Sequence, residues 1–287
     1  MIRIVHTVAE LRAHLAGWRD RGQRVALVPT MGNLHAGHFS LVGLARQNAD
    51  RVVASIFVNP TQFGPDEDFA RYPRTPEADA EGLARAGCDL LFLPTVETMY
   101  PLGAAAAARI RLPGLAEVLE GAARPGHFDG VASVVARLFN MANPDVAIFG
   151  RKDYQQLQVI RHLVRDLAFA IDIVPGPTVR EPDGLALSSR NQYLTPGERA
   201  TAVELIRNLR TMREQAAQGL PIDGIEQEAT ERLAAAGFVV DYAVVRRADL
   251  TRPESGNEAG LIGLVAARLG RTRLIDNLEF DDPGTGA

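Results

Sequence analysis

Two histidines, His35 and His38, lie three residues apart just after a short apolar run. Residues at this spacing share one face of a helix, and we predict that a helix begins near Ala36. On its first turn, two imidazoles could donate hydrogen bonds to phosphate oxygens as charge develops in a transition state. Gly32 and Gly37 would let the main chain approach a phosphate closely. No third metal ligand is placed nearby, so phosphate chemistry is favoured over a metal site; a pair of helix-start histidines without a function is the alternative.

The chain has 31 basic residues, and Lys152 is its only lysine. A compact ammonium on a flexible stem differs physically from a guanidinium, so a lysine kept among arginines suggests a specific need. Lys152 lies between a predicted strand and a predicted helix, where a cation would neutralise phosphate. A Walker-type loop is excluded because that motif ends in Gly-Lys-Ser/Thr, whereas Lys152 follows Arg151. Chance survival of one lysine is the alternative, and the neighbouring residues disfavour it.

Further polar side chains lie in the predicted loops. Gln62 leaves the end of the second predicted strand and offers both a donor and an acceptor to a polar substrate. Gln156, one turn into the helix after the lysine, could face the same cleft. The Ser188–Arg190 run places two hydroxyls and a guanidinium in a loop at a domain junction, which suits phosphate binding. Arg124 and His127 could line the cleft or belong to a plain loop; each of these residues taken singly could also be structural.

The apolar pattern of the first two thirds of the chain alternates between strands and helices. This alternation predicts right-handed crossovers and an α/β fold with a doubly wound, largely parallel sheet. In such sheets ligands bind beyond the carboxyl ends of the strands, where the polar segments described above begin. Strands are predicted at 25–28, 52–58, 90–93, 146–149 and 170–174, and helices after Thr7, near Ala36 and at 75–87, 131–141 and 154–167.

The pattern changes near residue 185. Two consecutive helices are followed by two strands that read as antiparallel, which predicts a smaller α+β domain at the C-terminus. We therefore expect one domain over residues 1–184 and a second over 185–287. The predicted helices of the second domain span 196–219 and 221–237, and its predicted strands span 238–245 and 261–269.

Composition excludes several classes of protein. With 46% apolar residues among 287, the chain is too hydrophobic to be disordered. A net charge of -4 gives no global attraction to nucleic acid or to anionic lipid. The single cysteine, Cys88, cannot form an internal disulfide or a zinc cluster. No apolar stretch is long enough to span a bilayer, and Met1–Arg12 lacks a signal-type apolar block, so we expect a soluble cytoplasmic protein without nucleic-acid or membrane partners.

Taken together, the motifs closely resemble those of the pantoate–β-alanine ligase (pantothenate synthetase) family. The His-x-Gly-His element alone is shared by the wider nucleotidyltransferase superfamily, but the ordered set is specific, and the resemblance covers nearly the whole chain. The matching segments are residues 29–38 (PTMGNLHAGH), 57–63 (FVNPTQF), 71–75 (RYPRT), 124–128 (RPGHF), 152–157 (KDYQQL), 183–191 (DGLALSSRN) and 273–277 (RLIDN).

The resemblance implies condensation of pantoate with β-alanine to pantothenate, using ATP and Mg²⁺, with AMP and pyrophosphate as products of a path through pantoyl adenylate. It implies a Rossmann-like ATP- and pantoate-binding first domain, a smaller C-terminal lid domain that closes over the ATP cleft, and a homodimer. It makes His38 the proton donor, and it implies that Gln62 contacts pantoate and β-alanine and that Gln156 contacts pantoate. The resemblance also implies that ATP is bound by Met31, Gly32, Asn33, Leu34, His35, Ala36, Gly37, His38, Gly150, Arg151, Lys152, Asp153, Val179, Leu187, Ser188, Ser189 and Arg190.

The residue chemistry agrees with this implied path. A carboxylate can attack the α-phosphate only if the repulsion of the triphosphate is offset, and His35, His38, Lys152 and Arg190 could do so together with the metal.

Three departures from the family pattern remove none of these groups. Arg151 stands where an acidic residue is common, and Thr61 and Leu187 stand where methionine is common.

Two other functions remain open at this stage. Another nucleotidyltransferase, acting on a different small molecule, would share the histidine motif but would have no evident need for Gln62 and Gln156 together. A non-catalytic nucleotide-binding protein on the same fold would bind ATP without forming a product. Polar residues are present in all four candidate segments, those of His35 and His38, Gln62, Lys152 and Ser188–Arg190, and they argue against that second alternative.

Overall fold

The computed structural model describes residues 2–65, 67, 69–254 and 259–281. The chain divides into two compact units. The first unit comprises Met1–Arg151 and Gln155–Pro177, and the second comprises Lys152–Tyr154 and Thr178–Ala287.

The first unit contains a parallel sheet of six strands in the order β1-β4-β3-β2-β5-β6. This arrangement confirms the predicted doubly wound α/β fold. The sequence prediction missed the three-residue strand β1 and placed β6 two residues too early. The strands are β1 (Arg3–Val5), β2 (Val25–Thr30), β3 (Arg51–Ile56), β4 (Leu90–Phe92), β5 (Val146–Gly150) and β6 (Asp172–Gly176).

Both faces of this sheet are buried, as the continuous apolar runs predict. Successive side chains of a strand point to opposite faces. In β2, Val25 and Leu27 belong to one apolar cluster, whereas Ala26 and Val28 belong to another on the opposite face. The two clusters form the core of the first unit, one on each face of the central strands.

Helices connect these strands, and their starts follow local sequence rules. The first helix begins with the predicted capping box, in which the Thr7 hydroxyl accepts from Glu10 N at 3.2 Å and the Glu10 carboxylate accepts from Thr7 N at 2.9 Å. The helices up to residue 166 are α1 (Val8–Arg19), α2 (Ala36–Asn48), α3 (Pro76–Arg85), α4 (Val96–Met99), α5 (Glu120–Ala123), α6 (His127–Ala142) and α7 (Tyr154–Asp166).

The second unit contains three antiparallel strands in the order β7-β8-β9, with their own apolar core. The single helix predicted over 196–219 is two helices here, and the last strand was missed because charged residues interrupt its apolar pattern. The elements are α8 (Pro196–Thr201), α9 (Glu204–Ala217), α10 (Ile222–Ala235), β7 (Val239–Arg247), β8 (Leu261–Leu269) and β9 (Thr272–Glu279).

None of the helices in the described part of the chain has both the length and the apolar character that a membrane-spanning helix requires.

Candidate active site

The histidine segment, residues 31–38, follows strand β2 at the centre of the parallel sheet. From β2 the chain proceeds outward through β3 and β4 on one side, and later through β5 and β6 on the other. The carboxyl ends of β2 and β5 therefore flank the point at which the strand order reverses, where open α/β sheets bind ligands. We call residues 31–38 the histidine loop; Gly150, which ends β5, lies at the same edge of the sheet.

A buried carboxylate anchors the histidine loop through hydrogen bonds to its main chain. Asp79, on α3, is only 3% exposed. It accepts hydrogen bonds from Asn33 N at 2.9 Å and from Leu34 N at 2.8 Å, and the Thr75 hydroxyl donates to it at 3.1 Å. A side chain at Gly32 would strain this path, because φ there is +84° and a Cβ would lie 3.1 Å from the Asp79 carboxylate.

The sequence predicts that N–H groups at the start of α2 attract a phosphate, and this stays a prediction. The N–H groups of Asn33 and Leu34, which precede that helix, are bonded to Asp79. In the sequence Asp79 is placed only within the helix predicted at 75–87; the available signal is the Gly32-Asn33 pair, residue types that favour the positive φ angles of a tight turn.

The two imidazoles are oriented by the main chain of the same turn. His35 Nδ1 accepts from Gly37 N at 3.2 Å, and His38 Nδ1 accepts from His35 N at 3.3 Å. The ring centroids lie 4.2 Å apart. Because each Nδ1 is an acceptor, the proton of each neutral ring is on Nε2. Both rings therefore present an Nε2–H donor, as phosphate binding requires.

Gln62 is buried, and its side-chain amide has a defined orientation. Asn59 Nδ2 donates to Gln62 Oε1 at 3.1 Å, and Gln62 Nε2 contacts Met31 Sδ at 3.0 Å, which links this side chain to the histidine loop. Asn59 is itself held by the Tyr100 hydroxyl at 2.7 Å and donates to Gly130 O at 3.2 Å. Asn59 was not singled out in the sequence; its place three residues before a candidate substrate ligand, at the start of a turn, is the available signal.

Arg124 and His127 support the main chain of Gln62. His127 Nδ1 donates to Gln62 O at 2.9 Å, and its Nε2 accepts from the Arg124 guanidinium at 3.0 Å. Arg124 also forms a bidentate ion pair with Glu67, in which its Nη2 and Nε donate to the two carboxylate oxygens at 2.6 and 2.7 Å. Burial, and then the charge of Arg124, lower the pKa of His127 to about 4. Although burial opposes ionisation of Glu67, the Arg124 hydrogen bond holds the pKa of that carboxyl below its usual value.

The two neighbouring glutamines of α7 have different environments. Gln155 is buried, and its amide bonds to Leu115 O, Val118 O and Glu120 N at 2.8–3.0 Å, so it holds the segment before α5. Gln156 is half-buried and is the member of the pair that remains a candidate substrate ligand.

In the second unit, Lys152 is largely buried, and its ammonium lies 3.9 Å from the Asp153 carboxylate. The other candidate residues of this unit lie in what we call the serine segment, residues 178–190. Leu187 N donates to Val179 O at 3.0 Å, and the Ser188 hydroxyl accepts from Arg190 N at 3.3 Å. Each predicted site residue thus belongs to one of the two units, and Gln62 is linked to the histidine loop through Met31.

Within the described residues, no group of three or more His, Cys, Asp or Glu side chains is arranged to hold a metal ion.

Comparison with known proteins identifies close relatives. The sequence matches the family described as pantoate-beta-alanine ligase over residues 3–279. The chain is 62% identical over 280 residues to the pantothenate synthetase of Xanthomonas oryzae pv. oryzae (strain MAFF 311018), a match that covers 98% of this chain and 100% of the relative.

Solved structures agree with the sequence match. The chain is similar to the crystal structure of pantothenate synthetase from Thermus thermophilus, with a TM-score of 0.90 and 52% identity over 97% of this chain and 99% of that one. It is also similar to pantoate-beta-alanine ligase from Francisella tularensis complexed with beta-gamma ATP and beta-alanine. That comparison has a TM-score of 0.83 and 32% identity over 99% of this chain and 100% of that one. These findings confirm the resemblance inferred from the motifs.

Proposed function

Because this chain belongs to the pantoate-beta-alanine ligase family, we propose that it condenses pantoate with β-alanine at the expense of ATP, through a pantoyl adenylate. The observation that carries the proposal is the histidine pair, which presents two oriented Nε2–H donors at the reversal point of a parallel sheet. Donors fixed in advance stabilise charge that develops on phosphate oxygens without reorganisation during the reaction.

In the first proposed step, a carboxylate oxygen of pantoate attacks the α-phosphorus of ATP. The bond from that phosphorus to the bridging oxygen breaks, and pyrophosphate leaves with the electron pair. His38 donates a hydrogen bond from its Nε2–H to the charge that develops on the phosphate oxygens, and His35 supports it. Lys152 and Arg190 offset the triphosphate charge that otherwise repels the incoming carboxylate.

In the second proposed step, the neutral amine of β-alanine attacks the acyl carbon of the adenylate. The bond from that carbon to the phosphate oxygen breaks, AMP leaves with the electron pair, and the extra proton of the amine passes to water. Gln62, oriented by Asn59, contacts both pantoate and β-alanine in this scheme, and Gln156 contacts pantoate. Pantothenate is the product.

The proposed ATP ligands are the residues of the histidine loop from Met31 to His38, the Gly150–Asp153 run, Val179, and the Leu187–Arg190 run. The division into an ATP- and pantoate-binding domain (residues 1–184) and a lid domain (185–287) stays a prediction. So do the homodimer, the cytoplasmic location and the absence of nucleic-acid partners.

Mg²⁺ is proposed as the ion that accompanies ATP. The described residues contain no cluster of three or more metal-ligating side chains. We therefore propose that phosphate oxygens of the nucleotide and water supply most of the Mg²⁺ ligands, an arrangement that is common for this ion. The ion would then neutralise phosphate charge alongside the basic side chains.

Mass spectrometry of a reaction containing the protein, Mg²⁺, ATP, pantoate and β-alanine, with each component omitted in turn, tests the proposal. Pantothenate and AMP are expected only when all are present. AMP without pantothenate would indicate an adenylylating relative with another acceptor, and nucleotide binding without turnover would indicate a binding protein.

The Lys152→Ala variant tests the site. We expect the pantoate-dependent exchange of pyrophosphate into ATP to fall on the order of 100- to 1,000-fold, the usual effect of removing a charge-stabilising group, with an unchanged melting temperature. Arg165→Ala, in the exposed last turn of α7, is the control and should leave the exchange rate unchanged. Near-normal turnover in Lys152→Ala would overturn the assignment of the lysine.

A further inference from the structure

The late motif at residues 273–277 has no place in the proposed chemistry, yet it contains two buried polar side chains. Asp276 and Asn277, on strand β9, are 3% and 6% exposed. Their neighbours Leu274 and Leu278 belong to the apolar core of the second unit. Buried carboxylates and amides are costly unless they are hydrogen-bonded, so the partners of these two side chains show what the motif stabilises.

Asp276 is paired with Arg180, which lies in the serine segment. The two guanidinium nitrogens of Arg180 donate to the two carboxylate oxygens at 2.7 and 2.9 Å. The same guanidinium donates to Asn277 O at 3.0 Å and to Gly184 O at 3.1 Å. The bonds to Asp276 and Asn277 fasten the serine segment to β9.

The fastened segment leads directly to the proposed ATP ligands. Arg180 forms an antiparallel bridge with Ala186, and the next residue, Leu187, donates to Val179 O at 3.0 Å. The Asn191 amide donates to Ala186 O at 3.0 Å from the far side of the Ser188–Arg190 run. The path of that run therefore depends on where the Arg180 guanidinium is held.

Asn277 holds the main chain of the only lysine. Its Nδ2 donates to Lys152 O at 2.8 Å. Two residues further along, the Tyr154 hydroxyl donates to Ala248 O at 3.0 Å, so the turn is fastened on both sides of Asp153.

We propose that Asp276 and Asn277 are positioning residues for adenylation. They are consecutive on one strand, so their side chains leave opposite faces and hold the serine segment and the Lys152 turn in one fixed relation. Side chains carried by a rigid element are held more precisely than those on loops alone. Neither residue is assigned a contact with substrate; each acts through a basic residue of the second unit, and the inference therefore rests on the proposed function.

Asn277→Ala removes the donor to Lys152 O and is the first test. A misplacement of about 1 Å can cost on the order of 100-fold in rate, so we expect the pantoate-dependent pyrophosphate exchange to fall roughly 10- to 100-fold. Asn208→Ala is the matched control. Asn208 is 4% exposed and its Nδ2 likewise donates to a main-chain carbonyl, that of Ala229 at 3.1 Å, in the same unit. Its Oδ1 also accepts from Arg232 Nε at 2.9 Å, so this variant should lower the melting temperature at least as much as Asn277→Ala. It should leave the exchange rate within about twofold, since neither partner is a proposed ligand.

A spectroscopic signal reports the bond itself. Because Lys152 is the only lysine, protein labelled with carbonyl-¹³C lysine has a single labelled carbonyl, the one that accepts from Asn277. Loss of this hydrogen bond should move the resonance upfield in Asn277→Ala and leave it in place in Asn208→Ala. Asn277→Asp, which puts an acceptor where the donor was, should move it in the same direction and serves if the alanine variant does not fold. An unmoved resonance in a folded Asn277 variant would overturn the proposal.

A double-mutant cycle separates positioning from general stability. If Asn277 acts through Lys152, adding Asn277→Ala to Lys152→Ala should reduce the exchange rate no further. Additive losses, or a full rate in Asn277→Ala while Lys152→Ala is inactive, would overturn the positioning role and leave the proposed function intact. Full activity in Lys152→Ala would overturn the proposed role of the lysine itself, and the inference with it.

Discussion

The histidine loop of the first unit and the serine segment of the second are each held by a buried aspartate, but the two aspartates have different partners. Asp79 accepts from two main-chain N–H groups and one hydroxyl, all of them neutral. Asp276 is bonded to the guanidinium of Arg180. One carboxylate is therefore held by neutral donors, whereas the other is paired with a cation.

The difference indicates where each substitution should act. Without Asp276, the Arg180 guanidinium would remain largely buried without its counter-charge, which is a cost to stability. Without the charge of Asp79, no opposite charge is left behind, but the N–H groups that it orders would lose their acceptor. We expect stability to suffer more in the second unit and catalysis more in the first.

The largest effect is expected for Asp276→Leu. Breaking a buried ion pair by removing one partner typically costs about 3–5 kcal/mol, so the free energy of unfolding should fall by that amount in urea titrations. The double variant Arg180→Met/Asp276→Leu should recover most of the stability, because no lone charge remains, while its pyrophosphate exchange stays low. Recovery of both stability and exchange would break the comparison, since the pair would then have no positioning role.

Asp79→Asn should come next. An amide can accept from only one side, so one loop N–H would face an NH₂ group, at a cost of about 1–3 kcal/mol. We expect the turnover number to fall on the order of 100-fold through misplacement of His35 and His38. Asp145→Asn is the control, because Asp145 accepts from Val25 N at 2.7 Å at the other end of strand β2. Equal losses of turnover in both variants would show that the histidine loop is not specifically held by Asp79.

His127 should give the first unit a pH dependence. Its pKa is lowered to about 4 in the folded protein from 6.5, so between these values the unfolded chain binds the additional proton. The free energy of unfolding should fall as pH decreases through this window, by up to about 1.4 kcal/mol per pH unit, and should be insensitive to this group above pH 6.5.

The difference between the parent and His127→Gln isolates this contribution from those of the neighbouring Arg124, Glu67 and Glu120, which both proteins contain. Urea titrations from about pH 4 to about pH 7 should show a shallower dependence in the variant. Parallel curves for the two proteins would show that His127 is not held neutral.

The smallest effect is expected for Thr75→Val, which removes only the hydroxyl donor to Asp79. A single hydrogen bond contributes about 0.5–1.5 kcal/mol, and the two loop N–H groups would keep their acceptor. Turnover should therefore decrease much less than in Asp79→Asn. A decrease as large as that of Asp79→Asn would mean that the hydroxyl, rather than the carboxylate alone, orders the histidine loop.

Much of the fold could be predicted because it depends on local patterns. The capping box at Thr7 and the buried runs of β2 and β5 follow from residue type and spacing, and the structure confirms them. Strand β9 was missed because Arg273, Asp276 and Asn277 interrupt its apolar pattern; tertiary partners, which a local pattern does not contain, allow these polar residues to occupy a strand. For the same reason the sequence places Asp79 only within the helix predicted at 75–87, although its oxygens accept from residues of the histidine loop 45 and 46 positions away.

By itself, the sequence determined the α/β class, the family and the side chains available for catalysis and binding. The spacing of apolar residues and the order of the motifs are properties of the chain alone. Only the tertiary structure decided how these groups are held. The Nε2–H donors of His35 and His38, the amide orientation of Gln62 and the anchoring of Lys152 by Asn277 all depend on hydrogen bonds. The bond between Asn277 and Lys152 joins residues 125 positions apart. Such bonds require donor and acceptor to meet within about 3 Å, and only the packing of the elements that carry them brings them together.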